Sequence, residues 1–133
     1  MGAIPIGTRG TYELVVGADH LANRFKDATL PPVLATPVMI MVMENAALNA
    51  IKPYLGPGQT AVGTHVDVAH LAATPVGRRI IGEAEVTRVE RRLVEFEVRA
   101  FDGTELIGSG KHQRALIDLA RFEERLRAKA AKG

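Results

Sequence analysis

Residues 36–51 constrain this chain more than any other stretch, because they read as one helix with apolar side chains on every side. Thr36-Pro37 is a strong start signal: a threonine hydroxyl caps free backbone N–H groups, and proline suits the first helical position. Pro53 and Gly56-Pro57-Gly58 stop the helix. From Val38 to Met43 the run is apolar without interruption. A helix of that kind belongs inside a protein shell rather than on a surface. Met39, Met41 and Met43 give it adaptable filler.

The segments around it supply the shell. Residues 60–70 switch to a period of two, with Val62, Thr64, Val66, Val68 and His70 on one face and Gly63, His65 and Asp67 on the other. Residues 82–89 alternate next, and a tight turn at Glu90-Arg91 leads into 93–101. There Val94, Phe96, Val98 and Ala100 alternate with Glu95, Glu97 and Arg99. Asp102-Gly103 signals a hairpin that returns the chain through 105–117. Ahead of the helix, 11–16 reads as a strand and 19–30 as a helical turn followed by an irregular segment. Pro31-Pro32 opposes both helix and central strand, so that segment is a loop or lid. From Asp118 onward, Leu119, Phe122 and Leu126 recur at helical spacing. The fold class is therefore α+β: one buried central helix wrapped by a curved antiparallel sheet of about five strands, with a short C-terminal helix. Such a sheet leaves an edge, and edges are usually paired or covered, so dimerisation by sheet extension is expected.

Composition narrows the function. The 133 residues show no repeat or linker and make one domain over 1–133. The absence of cysteine excludes disulfides, thiolate metal sites and a cysteine nucleophile, and agrees with a cytoplasmic location. Residues 1–6 lack the basic-then-apolar pattern of a secretory signal, and no apolar run is long enough to span a membrane. The net charge is only +2, basic residues are interleaved with glutamates, and there is no tryptophan, so base-stacking material is scarce. Nucleic-acid binding is not expected; a phosphate-bearing small molecule suits this charge balance better. No GxGxxG, Walker loop, HExxH or GxSxG occurs, and neither a metal nor a cofactor is expected.

Three residues carry candidate chemistry. Glu44 sits mid-helix in the apolar run, where an ionised carboxylate costs roughly several kcal/mol unless paired or hydrogen-bonded. It belongs either to a site or to a solvent stripe shared with Asn45, Asn49 and Lys52. His70 ends the strand face that carries Val62, Val66 and Val68, so it points at the helix, either as a core histidine satisfied by a carbonyl or as a partner of the carboxylate. Thr36 is explained as the helix N-cap. Eight residues of helix separate Thr36 from Glu44 by about 12 Å. They share a site only if the helix starts late, the chain folds back, or a second subunit supplies one of them. Gly63 marks either a bulge or the close approach of a ligand. Lys111, Arg114, Arg78 and Arg79 are either phosphate contacts or solvated strand charges, and His20, His65 and His112 have no evident carboxylate arrangement.

Taken together, Val33-Leu34-Ala35-Thr36-Pro37, Met43-Glu44-Asn45-Ala46, Val62-Gly63-Thr64 and His70-Leu71-Ala72-Ala73-Thr74-Pro75-Val76-Gly77 resemble the fluoroacetyl-CoA thioesterase-like branch of the hotdog superfamily. Gly108-Ser109-Gly110-Lys111-His112-Gln113-Arg114 and Phe122 extend the match over nearly the whole chain. The resemblance implies a hotdog dimer with sites at the subunit interface, no metal, and a Thr36-Glu44-His70 set that cleaves the thioester of an acyl-CoA. It further implies that Gly63 lines the site, where its N–H polarises the thioester carbonyl, with Arg114 as a second substrate-binding residue. Residues 26–30 depart from it: the fluoroacetyl-selective type is similar to a lid bearing aromatic residues, and Lys26-Asp27-Ala28-Thr29-Leu30 has none. Fluoroacetyl selectivity is therefore not carried over, and a short acyl group recognised mainly through its CoA is expected. In this chemistry Glu44 is nucleophile or general base, His70 orients it and moves protons, and Thr36 holds the carboxylate or the oxyanion. Two rivals share the fold: a non-catalytic acyl-CoA binder, and an enoyl-CoA hydratase. The hydratase typically places an Asp about five residues before its His. Asp67 lies three before His70, on the opposite face.

Overall fold

Five antiparallel strands curl around one long helix in the computed structural model, which describes residues 3–133. The order is β1 (Arg9–Val15), a short α1 (Ala22–Phe25), α2 (Thr36–Ile51), β2 (Gln59–His70), β3 (Arg79–Glu90), β4 (Leu93–Asp102), β5 (Glu105–Asp118) and α3 (Leu119–Ala131). In the sheet they run β1-β3-β4-β5-β2, leaving β1 and β2 as edges. The hairpins turn at Arg91 (φ 56°) and Gly103 (φ 61°), the positive φ that tight hairpin loops demand. Register shifts at Gly63/His65, Val86/Arg88 and Ala100/Phe101 add the local twist that curls the sheet.

Two glycines seat the helix. A Cβ on Gly10 of β1 would overlap the backbone of Ala46 and Ala50, and one on Gly82 of β3 would lie 2.7 Å from Val42 Cγ1. Only bare backbone lets α2 lie this close to the sheet. Asn49 fixes the register by donating from Nδ2 to Thr11 O at 2.8 Å. The core fills the single layer between α2 and the concave sheet face, with Met39, Met43, Ile51, Ile80, Phe96 and Ile107 fully buried. The alternation read along residues 93–101 holds, with Val94, Phe96, Val98 and Ala100 all inside.

Three expectations change, and the C-terminal helix proves peripheral. The helix is not enveloped on all sides: Val38, Met39, Val42, Met43, Ala46, Ala47, Ala50 and Ile51 are buried, while Pro37 and Met41 are exposed and Glu44, Asn45 and Leu48 half-buried. One largely apolar stripe of α2 thus has no cover within a single copy. Thr36 is not the N-cap; Ala35 takes that position with extended backbone, Thr36 begins the helix, and its hydroxyl is free for other work. The bulge at Gly63/His65 reverses the facing of β2, so Ala61 and Gly63 point at the helix on one side of it, and Val68 packs on the core beyond it. Helix α3, capped by Asp118 accepting from Arg121 N at 3.0 Å, buries none of its residues, and Leu119 and Leu126 stay exposed.

Candidate functional site

Two polar clusters lie beside α2, one at its first turn and one two turns later. Backbone contacts fix the first: Leu34 N donates to Thr74 O and Ala35 N to His20 O, while Leu71 N donates to Ile107 O just after β2 ends. These ties bring the start of the helix to the end of the strand. Thr36 Oγ1 lies 2.8 Å from His70 Nδ1, a hydrogen bond across 34 residues of sequence. A hydroxyl within reach of an imidazole is the arrangement of a nucleophile and its base. Burial pushes the His70 pKa below the ordinary histidine value, and the Ala72 backbone offsets part of that shift. The ring is therefore neutral near pH 7 and able to accept a proton. Its Nε2 is buried without a hydrogen-bond partner among the described residues. The pair borders a cavity of about 450 Å³ lined by Lys26, Leu30, Val33, Leu34 and Leu71. The segment read as a lid supplies Lys26 and Leu30 to that wall.

The second cluster converges on the bare Cα of Gly63. A Cβ there would lie 2.8 Å from Glu44 Oε2, 3.3 Å from His112 Cε1 and 3.7 Å from Arg114 Nη1. Arg114 is buried; its Nη2 donates to Ala61 O at 2.8 Å and its Nη1 lies 3.1 Å from His112 Nε2. A guanidinium only donates, so Nε2 accepts and the His112 proton sits on Nδ1, directed to His65 O at 2.9 Å. Burial lowers the Arg114 pKa while the Glu44 charge raises it. For His112 burial also comes first and lowers the pKa; Glu44 again acts in the raising direction. Glu44 makes no direct hydrogen bond or salt bridge among the described residues, so it acts on Arg114 and His112 through its field rather than by contact.

Within one copy the structure therefore joins Thr36 to His70, and Glu44 to Gly63, His112 and Arg114. It does not join the two sets, because α2 starts at Thr36 and runs unbroken past Glu44. Sequence reasoning had set His112 aside and gave no facing for Arg114. The signal was the strand phase: His112 and Arg114 alternate with Lys111 and Gln113, and Phe96 opposite His112 is plainly a core residue. The other basic candidates serve the fold: Arg78 Nε pairs with buried Asp102 at 2.9 Å, and Arg79 lies 3.8 Å from Glu13. His20 accepts from Gly17 N, and Lys111 and His65 are exposed. No group of three His, Asp or Glu side chains among the described residues converges on a metal position.

A curled antiparallel sheet around one long helix, with polar residues at the helix face and strand ends, places the chain in the hotdog class of folds. The comparisons agree. A solved hot-dog-like protein from Thermanaerovibrio acidaminovorans superimposes with a TM-score of 0.84 at 22% identity, over 95% of this chain and 93% of that one, which establishes the fold. The family model described as fluoroacetyl-CoA-specific thioesterase matches residues 16–120. The fluoroacetyl-CoA thioesterase of Streptantibioticus cattleyicolor is 40% identical, with 96% of each chain covered. A solved structure of the fluoroacetyl-CoA thioesterase FlK gives a TM-score of 0.90 at 38% identity, covering 96% of this chain and 98% of that one. A Thermus thermophilus member of the thioesterase superfamily gives 0.92 at 30% identity, over 99% and 97%. The chain belongs to the fluoroacetyl-CoA-specific thioesterase family and is a thioester hydrolase.

Proposed function

We propose that this enzyme hydrolyses short-chain acyl-CoA thioesters as a homodimer, with Thr36 and His70 of one copy facing Glu44, Gly63 and Arg114 of a second. The observation that carries the reading is the Thr36–His70 hydrogen bond at the mouth of the cavity. A point mutant of FlK has been solved with acetyl-CoA bound, at 38% identity to this chain, which supports an acyl-CoA as substrate. The lid beside that cavity carries no aromatic side chains, which favours a short acyl group with no demand for fluorine.

The geometry supports the following chemistry. The substrate's thioester carbonyl lies against Thr36; His70 takes the hydroxyl proton as Oγ1 attacks, and returns it to the sulfur of the departing CoA. Glu44 and His70 then draw the proton from a water that opens the acyl ester, freeing the acid and regenerating the hydroxyl. The N–H of Gly63 and the Arg114 cation stabilise developing negative charge from the opposite wall. A second copy is needed because about 12 Å of helix separates Thr36 from Glu44 in one copy. The half-covered stripe of Met41, Glu44 and Leu48, together with the β2 edge and its exposed Val66, offers the surface for it.

CoA release from an acyl-CoA panel tests the substrate: acetyl- to butyryl-type thioesters should turn over faster than long-chain ones, and the reverse order would refute the short-chain reading. Complementation tests the shared site. His70→Ala and Glu44→Gln homodimers should each be nearly inactive. Mixed and re-associated, they should regain about one quarter of wild-type activity, because half the dimers carry one intact site of two. No regain would refute a site built from two copies.

A further inference from the structure

His112 is the most buried histidine of the chain, at 2% exposure, and both its ring nitrogens are engaged. Nδ1 reaches His65 O beside the bulge of β2, and Nε2 receives Arg114. Its ring stacks on Phe96 with centroids 5.8 Å apart, so one face is packed against the core. Only the neutral Nδ1–H tautomer satisfies both contacts; an imidazolium would aim a second N–H at the Arg114 cation.

We propose that His112 is a positioning residue that works as a proton-sensitive clamp: neutral, it holds the Arg114 guanidinium beside the Glu44 carboxylate and ties both to the bulge at Gly63; protonated, it lets Arg114 go. This rests on the thioesterase reading above and deepens it by naming what keeps the charged half of the site in place. Glu44 on α2 favours the protonated ring, whereas Arg114 on β5 and His65 on β2 oppose it, and β4 contributes uncharged Phe96. Asp67, Glu95, Glu97 and Lys111 border the outer-face groove that also reaches His112. Burial prevails over all of these and keeps the ring neutral below the usual histidine range. A histidine that merely filled space against Phe96 would need neither polar contact.

Three measurements test the clamp. Side-chain ¹⁵N spectra of the wild-type protein should show His112 as the Nδ1–H tautomer at neutral pH; an Nε2–H tautomer or an imidazolium there would overturn the proposal. His112→Phe keeps the stack, removes the acceptor and should lower kcat by up to about 100-fold through misplacement of Arg114 and Glu44. His112→Gln offers Arg114 a carbonyl that cannot titrate. It should recover most of that loss and take one proton out of the acid limb of the kcat profile. Wild-type kcat in His112→Phe, or a wild-type acid limb in His112→Gln, would refute the clamp. If His112→Phe does not fold, the glutamine profile and the tautomer still decide. A wild-type protein with the Nδ1–H tautomer but no acyl-CoA hydrolysis would instead refute the thioesterase reading and leave the clamp standing.

Discussion

Replacing Gly63 by alanine adds one methyl group at the point where three functional side chains meet. The new Cβ would stand 2.8 Å from Glu44 Oε2, whereas ordinary contact begins at 3.4 Å. The carboxylate must therefore retreat by about 0.6 Å, a displacement that can cost up to about 100-fold in rate when it falls on a catalytic group. The fold should survive. Glu44 Oε2 is the free end of a side chain, and the backbone of Gly63 does not adopt positive φ, so alanine is not strained there. His112 Cε1, at 3.3 Å, has to give much less. CoA release under saturating substrate should fall by roughly 10- to 100-fold, while the circular dichroism spectrum and the melting temperature stay close to wild type. A Gly63→Ala protein with unchanged kcat would show that Glu44 is free to move without consequence, and would remove it from the chemistry.

Thr36→Val keeps the side-chain shape and deletes the hydroxyl that meets His70. Turnover should drop by roughly 100-fold or more, and unchanged CoA release would refute the nucleophile assignment. Glu44→Gln should lose turnover to a similar extent and also lower the melting temperature, because buried Arg114 is left without its opposing charge; a gain in melting temperature would show that the two do not interact. Acid should destabilise the protein. His70 and His112 both have pKa values lowered by burial, so each binds its proton more readily when unfolded. Their contribution is complete above the ordinary histidine value of about 6.5 and is lost as pH falls from there toward the lowered values. Denaturant midpoints taken across that window should decline in the wild type and less in His112→Gln; equal declines would place the effect elsewhere.

Much of this architecture was legible in the residues, and the failures have local causes. The helix, its stop at Pro53 and the hairpin at Gly103 follow from propensity and turn chemistry, which act over a few residues and need no knowledge of the rest. Ahead of Gly63 the facing of β2 differs from the alternation because one bulge shifts the period by a residue, and valine or alanine on both faces gives no warning of it; beyond the bulge Val66, Val68 and His70 share a face as expected. Thr36 was assigned as a cap because Thr-Pro is a good cap sequence; only the long-range tie to His70 shows what the hydroxyl does instead. The all-round apolar helix reads as surrounded by protein, without saying whose. In fact its last stripe is uncovered, a distinction between intra- and intermolecular burial that no hydrophobic pattern can make.

That uncovered stripe connects the fold to the chemistry. A helix can bury a carboxylate among apolar residues only if something opposes its charge, and Arg114 does so from a strand whose own phase points inward. The same pairing would be inert if it were sealed on every side. Because α2 leaves the face with Met41 and Glu44 half-covered, the carboxylate lies near Arg114 yet remains open to what docks there. Thr36 and His70 have the complementary character: neutral, joined by one hydrogen bond, and set against an apolar cavity wall that suits a short acyl chain. Bringing a neutral proton-transfer pair up to a charged, preorganised wall is what acyl transfer requires, since negative charge develops on the carbonyl oxygen only as the hydroxyl loses its proton. With Thr36 and Glu44 about two turns apart on one helix, the two halves stay separate within a single copy, so under this reading the complete site forms only on association.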